Sequence, residues 1–382
     1  AFLLFLLLIT PIFAKTMRLT DLTIFNYKNI GEAELHFSPK LNCFIGGNGE
    51  GKTNVLDAIH FLSFCRSYSS SVDALSVRHG SEFMSLQGLY EHEDGTKEDI
   101  HCGLKVGQKK IVRRGKKAYR RISEHIGLIP LVMVSPADQV LVAGGSEERR
   151  RFIDMVICQY DPAYTESLLR YNRALQQRNV MLKQEEEADP EVFLVFEQQM
   201  AREGEYIFRK RSEYITELIP IFQEFYNRIS NGHEQVELRY VSQLQRGPLL
   251  EQLTTGRYKD RAVGYSLHGV HKDDLEMLQN GYPVRREGSQ GQSKTFLIAL
   301  KLAQFDFLGR TGSRTKPLLL LDDIFDKLDA MRVEQIVKLV SGERFGQIFI
   351  TDSNKVRMSG IVDRLTQDRA YYETQAGQFT RL

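Results

Sequence analysis

Three short stretches hold residues that could do phosphate chemistry. In GGNGEGKT, Gly46, Gly47, Gly49 and Gly51 let the backbone wrap closely enough for its N–H groups to face phosphate oxygens, with Asn48 and Glu50 completing the loop. The G-x-x-x-x-G-K-[ST] pattern places Lys52 to reach the β and γ phosphates of a nucleotide and the Thr53 hydroxyl to sit on Mg²⁺. In LLLLDD, Leu318 to Asp323, a run of leucines delivers Asp322 to the magnesium shell beside Thr53 and Asp323 to orient or activate the attacking water. In GSQGQSK, Gly288 to Lys294, Ser289 and Gly291 open a helix and form a second anion site from backbone donors and a hydroxyl. Each stretch also has a plain reading: a glycine turn before Lys-Thr, an acid that ends a strand or caps a helix, an ordinary glycine-containing helix start.

The elements around these residues decide between the readings. LNCFI (Leu41 to Ile45) is a short apolar run before the glycine loop, and NVLDAIHFL (Asn54 to Leu62) is amphipathic after it. Strand, loop, helix is the context a phosphate-binding loop requires, and the helix N-terminus adds a favourable dipole for an anion. Four consecutive leucines predict a strand buried on both faces, and QIFIT (Gln347 to Thr351) predicts another. Further strands are expected at LTDLTIF, at Glu32 to Phe37, around Met84 to Tyr90, Ile100 to Val106 and Lys110 to Val112, at Leu131 to Ser135, and over Gln235 to Leu244.

Between Ser146 and about Ile229 the pattern is helical, with Ser146 as N-cap, Glu147 and Glu148 in the first turn, and a break at Asp189-Pro190. This is too short for a long coiled-coil arm and reads as an inserted subdomain. A serine-rich loop (Cys65 to Asp73) and an Asn280-Gly281 turn punctuate the rest, and the C-terminal tail is amphipathic without a distinct signal. The fold class is therefore α/β, with residues 17–143 as the N-terminal part of a nucleotide-binding domain, 144–250 as a helical, lid-like insertion, and 251–382 as its C-terminal part.

The chain has 382 residues and a formal net charge of +2, so a nucleic-acid surface must come from local clustering. Its four cysteines are scattered and suit a reducing compartment better than a disulfide framework or zinc site. Residues 1–16 hold an apolar run, Phe2 to Ile9, too short to span a bilayer as a helix. The preferred explanation is a mis-set start upstream of Met17, over a targeting segment; no membrane role is expected, and the location is cytoplasmic.

Several longer stretches carry a resemblance. NYKNI after the first strand, CRSYSS, SPADQVLVAGGSEERRRFID, LLRYNRALQQRNVMLK, HGVHKDDLEM, GSQGQSK and LLLLDDIFDKLD together make the chain resemble the RecF family of DNA replication and repair ATPases, within the SMC and ABC superfamily. The resemblance implies an ABC/SMC-like ATPase head built from N- and C-terminal segments, with ATP and Mg²⁺ bound and ATP hydrolysed slowly. It implies an ATP-dependent homodimer in which Ser289 of one copy covers the γ-phosphate held by the other, and DKLD (Asp326 to Asp329) would communicate across that interface. Partners implied are single-stranded, gapped or double-stranded DNA, and RecO and RecR in loading RecA. Two departures stand out: Tyr27 and Lys28 replace the Phe and Arg of the family's F-R-N element, and Thr351 and Asp352 stand where many ABC ATPases carry a switch histidine.

DNA contact is expected at QKKIVRRGKKAYRR, which holds eight Lys or Arg in fourteen residues: Lys109, Lys110, Arg113, Arg114, Lys116, Lys117, Arg120 and Arg121, with Tyr119 among them. The alternative is a strand pair whose cations blunt a sheet edge. Arg149 to Arg151 are a second candidate, equally well read as contacts within the protein. His60, His268 and His271 lack metal-ligand spacing. Two other function classes compete with a DNA-bound switch: an SMC-like structural tether, which needs long heptad arms, and a nuclease-coupled ATPase, which needs an acidic metal cluster beyond the paired aspartates.

Overall fold

The structure, a computed structural model, describes residues 16–184, 189–232, 234–310, 315–325, 328, 330–354, 360, 363 and 366–382. The leader and most of DKLD lie outside the described residues. The chain forms two compact units: the first joins the stretch ending at Asp138 to Ile298–Leu382, and the second is Gln139–Leu297.

The first unit holds two six-stranded sheets. One is antiparallel, ordered β2 (Ile30–His36), β1 (Met17–Tyr27), β4 (Phe83–His92), β5 (Lys97–Lys105), β6 (Ile111–Arg114), β7 (Lys117–Ala118). Its strands alternate buried and exposed residues, as a sheet with one covered face must. The other sheet is ordered β15 (Gln378–Arg381), β14 (Arg369–Gln375), β3 (Leu41–Ile45), β13 (Ile348–Asp352), β12 (Leu318–Asp322), β8 (Leu131–Val134). All its pairings are parallel except that of β14 with β15. Every residue of β3, β12 and β13 is buried, which is why these segments read as unbroken apolar runs. Register pairs Asp322 with Thr351 and Asp352 with Ile45, so the ends of β12, β13 and β3 emerge together beside the helix Lys52–Phe64.

The second unit contains helices Ser146–Tyr160, Pro162–Leu182, Pro190–Ser230 and Leu249–Val263, and a small antiparallel sheet of β9 (Val236–Val241), β10 (Asp274–Gln279) and β11 (Tyr282–Pro283). Asp161 and Asp189 cap the two helices that open on Pro, each through its side chain. Ser146 does not cap: Gly145, in extended conformation, takes the N-cap place and Ser146 begins the helix.

Two sequence expectations need correction. The unit containing the helices reaches well beyond residue 250, because β10 pairs with β9 along six residues and Leu249–Val263 packs on Pro190–Ser230. Residues 251–297, with the glycine/serine loop, belong there and not with the first unit. The tail is also more than an amphipathic end. It supplies β14, a parallel neighbour of β3, and β15, joined by a tight turn with Ala376 and Gly377 at positive φ.

Candidate nucleotide site

The glycine loop follows β3 and closes onto the helix Lys52–Phe64, whose N-cap, Gly51, has φ +115°. That backbone conformation suits glycine, and a Cβ there would press on the Asn29 side chain. A Cβ at Gly46 would overlap the Thr374 carbonyl oxygen of β14, so the loop's first glycine is required by the neighbouring strand. Lys52 is buried, with its ammonium donating to the carbonyls of Gly46 (2.8 Å) and Gly47 (2.6 Å). The Thr53 hydroxyl donates to Asp322 at 2.9 Å from Oδ1, joining the loop to the acid at the end of β12.

Asp322 is surrounded by hydroxyls. Thr351 donates to Oδ1 at 2.7 Å, and Ser135 lies 3.4 Å from Oδ2. Burial, the largest influence, pushes the Asp322 carboxyl above its ordinary range, against the opposing effect of these donors. Asp323 follows at φ +46°, a strained backbone for a non-glycine residue, held by donation of its N–H to the Thr351 hydroxyl (2.9 Å). Thr351, noted in the sequence only as standing where a histidine is usual, therefore ties both acids together. Asn48, Gly49, Gly51, Lys52, Thr53, Asn54, Asp322, Asp323 and Thr351 line a cleft of about 180 Å³. Backbone donors, an ammonium and two hard oxygen ligands, Thr53 Oγ1 and an Asp322 oxygen, suit a phosphate chain with a magnesium ion.

Four supports of this cleft were not legible as site residues. Asn29 donates to the Gly49 carbonyl (3.2 Å) and accepts from Asn54 (2.7 Å). The turn between β14 and β15 grips Glu50: Ala376 N–H donates to its carboxylate and Gly377 N–H to its carbonyl (2.8 Å). Asp57, on the helix after the loop, accepts from Tyr27 (2.7 Å) and Ser67 (2.7 Å) and pairs with Lys28. The two departures from the F-R-N element thus share one buried carboxylate. Burial raises the Asp57 carboxyl, and Lys28 with the hydroxyl donors more than offsets it, leaving it below the ordinary value. Tyr68 donates to Asp138, which also pairs with Lys301 (3.1 Å) and accepts from Ser135 N–H (2.9 Å).

Several chemistry-bearing residues lie elsewhere. Ser289 and Gly291 belong to the second unit. Ser289 is exposed and forms a reciprocal cap with Gln292: its hydroxyl accepts from Gln292 N–H (3.1 Å) and its own N–H donates to the Gln292 side chain (2.9 Å). Of the basic stretch, Lys110 is tied to Asp73 (2.8 Å) and Arg114 to Glu98 (2.7 Å). Lys109, Arg113, Lys116, Lys117, Arg120 and Arg121 are exposed on β6, β7 and their flanks. Tyr119 turns inward against His125, with ring centroids 5.2 Å apart. Arg149 is buried on Asp274 (2.6 Å), and Arg150 donates to the Asp273 carbonyl (2.7 Å), so this pair serves the second unit's packing.

A family model described as RecF/RecN/SMC N terminal domain matches residues 18–370. The DNA replication and repair protein RecF of Phocaeicola vulgatus is 57% identical over 95% of this chain and 98% of its own. That of Parabacteroides distasonis is 50% identical over 95% and 98%. The chain belongs to the RecF family. Its fold agrees with that of a solved structure described as the recombination mediator protein RecF-ATPrS in RecFOR pathway, at TM-score 0.85 and 29% identity over 97% of this chain and 99% of that one. A Pyrococcus furiosus Smc head domain, 16% identical over 96% of both chains with TM-score 0.57, shares the fold alone. The RecF-family assignment accounts for the architecture: an ABC/SMC-like head with its glycine loop and paired acids far apart in sequence and adjacent in the sheet.

Proposed function

We propose that this RecF-family chain is a DNA-binding ATPase that acts as a switch in replication and recombinational repair. ATP binding closes a homodimer on single-stranded, gapped or double-stranded DNA, and slow hydrolysis releases it. The observation that carries this reading is the Thr53–Asp322 hydrogen bond, which brings residues 269 positions apart to one cleft with Lys52. The glycine loop and Lys52 would hold the β and γ phosphates, Thr53 and Asp322 the Mg²⁺, and Asp323 would orient the attacking water. The ion's contribution is to neutralise charge developing on the phosphoryl oxygens.

Ser289, exposed at a helix start, and Gly291 beside it would cover the γ-phosphate bound by a second copy, making the active unit a twofold pair. The domain plan that fits is a head built from both ends of the chain with a helical lid inserted. RecO and RecR would be the partners through which the switch promotes RecA loading, in the cytoplasm. Relatives described as DNA replication and repair proteins support the setting, and a solved relative described as RecF-ATP supports the nucleotide. Among the described residues no helix is long and apolar enough to cross a membrane. The 41-residue helix Pro190–Ser230 packs on Pro162–Leu182 and Leu249–Val263, unlike a tether arm.

The test is DNA binding and assembly of the Asp323→Asn variant, which should hold ATP unhydrolysed. Gel shifts on gapped DNA should tighten with ATP, and sizing should show a dimer with ATP and a monomer without it. Neither dimer nor tighter binding would end the switch reading.

A further inference from the structure

The antiparallel sheet of the first unit covers one face and leaves the other open. Its register sets Phe25, Ser85, Gly103 and Ile111 in one cross-strand row and Thr23, Gln87, His101 and Arg113 in the next. Phe83 lies opposite Lys105 on the same face. The intervening Ile24, Leu86, Cys102 and Val112 are buried, so these rows belong to the uncovered side.

On that side an aromatic pair stands in water. Phe25 and Phe83 are 37% and 48% exposed and stack with centroids 5.5 Å apart and planes 27° from parallel. Ile111 is 50% exposed two strands from Ser85. Gly103 between them lacks a side chain, leaving a shallow floor. Charge is graded across the face. Glu32 and Glu34 occupy the β2 flank, whereas Arg113 and Lys105, the latter 3.7 Å from Glu82, occupy the β5–β6 flank, with Lys109 and Lys116 in the loops at either end of β6.

We propose that the open face of this sheet binds single-stranded DNA, with phosphates following the cationic β5–β6 flank and bases lying over Ser85 and Gly103 onto Phe83 and Phe25. This rests on the DNA-binding reading above and adds the strand form and the surface. Aromatic stacking accepts any base, and cations beside it track the backbone, the combination a sequence-blind single-strand site requires. The acidic β2 flank repels phosphates and so fixes which side the backbone takes. A duplex keeps its base faces stacked on one another and can use only the cations, so the rings discriminate single strands from duplex.

The experiment compares oligothymidylate and a blunt duplex as probes, by fluorescence anisotropy, for the full chain and three variants. The double variant Phe25→Ala, Phe83→Ala should bind oligothymidylate about thirtyfold more weakly while its duplex and ATP affinities stay within about twofold. The double variant Phe25→Leu, Phe83→Leu keeps apolar bulk without an aromatic face and should lose single-strand affinity likewise, which guards against misfolding of the first. Arg113→Ala should lower the salt dependence of single-strand binding by about 0.7 in log–log slope. Unchanged single-strand binding in both double variants, equal loss on both probes, or full binding by the Leu pair would overturn the stacking site. A wild-type chain that binds neither probe nor gapped DNA, with or without ATP, would overturn the switch reading itself.

Discussion

Both units bury charge, and they use it differently. In the second, Arg178 is wholly buried, but its guanidinium is consumed by Glu197 (3.0 Å), Asp260 (2.7 Å), the Ser266 hydroxyl (2.7 Å) and the Leu253 carbonyl (3.1 Å). Arg211 is likewise enclosed by Asp154, Asp273 (2.8 Å) and the Val270 carbonyl (2.7 Å). In the first, Lys52 and Asp322 are almost as deeply placed, yet both border the cleft, and Lys52 meets only carbonyls of its own loop. Buried charge alone does not mark a functional site. The mark is a charged group whose remaining hydrogen-bonding capacity points into a space that a ligand can fill.

The comparison breaks most visibly under a crossed pair of substitutions. Arg178→Met leaves Glu197 and Asp260 buried with a partner removed, and should destabilise the protein by about 3–5 kcal/mol in urea unfolding. Lys52→Ala removes an ammonium that the cleft presents to phosphate. It should abolish ATP hydrolysis and dimer closure, a loss of at least about a hundredfold, while the unfolding midpoint stays near wild type. An unfolded Lys52→Ala protein, or an Arg178→Met protein of normal stability that cannot hold nucleotide, would erase the distinction.

The parts of the candidate site legible in the sequence are the local ones. Gly46 to Thr53 and Asp322 with Asp323 carry their geometry in consecutive residues, and the strands beneath them are apolar because the sheet buries both their faces. What stayed hidden depends on pairing across long separations. Nothing near Glu50 announces that Ala376 will donate to it, although the YETQAGQFT stretch has the alternation and Ala-Gly turn of a hairpin. Asp57 reads as one polar residue on a helix, and only the fold brings Tyr27, Lys28 and Ser67 to it. Tyr119 sits among cations in sequence but turns inward to His125, whereas Phe25 and Phe83, far from that stretch, share the open face with it. The unit boundary was misplaced because β9 finds its partner beyond the helix Leu249–Val263.

The C-terminal turn gives a smaller effect that sharpens the same contrast. Glu50 is a partly exposed loop carboxylate whose contacts preserve loop shape without entering the cleft. Glu50→Ala removes a charge-assisted hydrogen bond and frees the turn at Ala376. ATP affinity should fall about fivefold, with stability lower by about 1 kcal/mol. Isothermal titration beside urea unfolding separates the two. If affinity is untouched, the hairpin only closes the sheet edge and the loop holds its shape unaided.

Burial also holds histidines neutral in both units, and one from each tests whether charge-free burial is equivalent in the two. His60, on the helix after the glycine loop, is held down to about 4 chiefly by burial, with Asp57 opposing. His271, bonded to Tyr171 (2.8 Å), is held to about 4 chiefly by burial as well, with the Ser266 carbonyl opposing. An unfolded histidine takes a proton near pH 6.5 and these two only near 4. Between those values the unfolded chain binds more protons, so stability rises with pH there and is lost on acidification from 6.5 toward 4. Each should account for about 1 kcal/mol of the difference between pH 7.5 and 5.5, which His60→Gln and His271→Gln would each remove from the urea-unfolding profile. ATP with Mg²⁺ should raise stability while leaving the His60 share of that slope intact, because His60 stacks on Phe64 (4.6 Å) and does not line the cleft. A slope that ATP flattens in wild type but not in His60→Gln would place His60 in electrical contact with the nucleotide, through the Asp57 carboxylate that shares its helix.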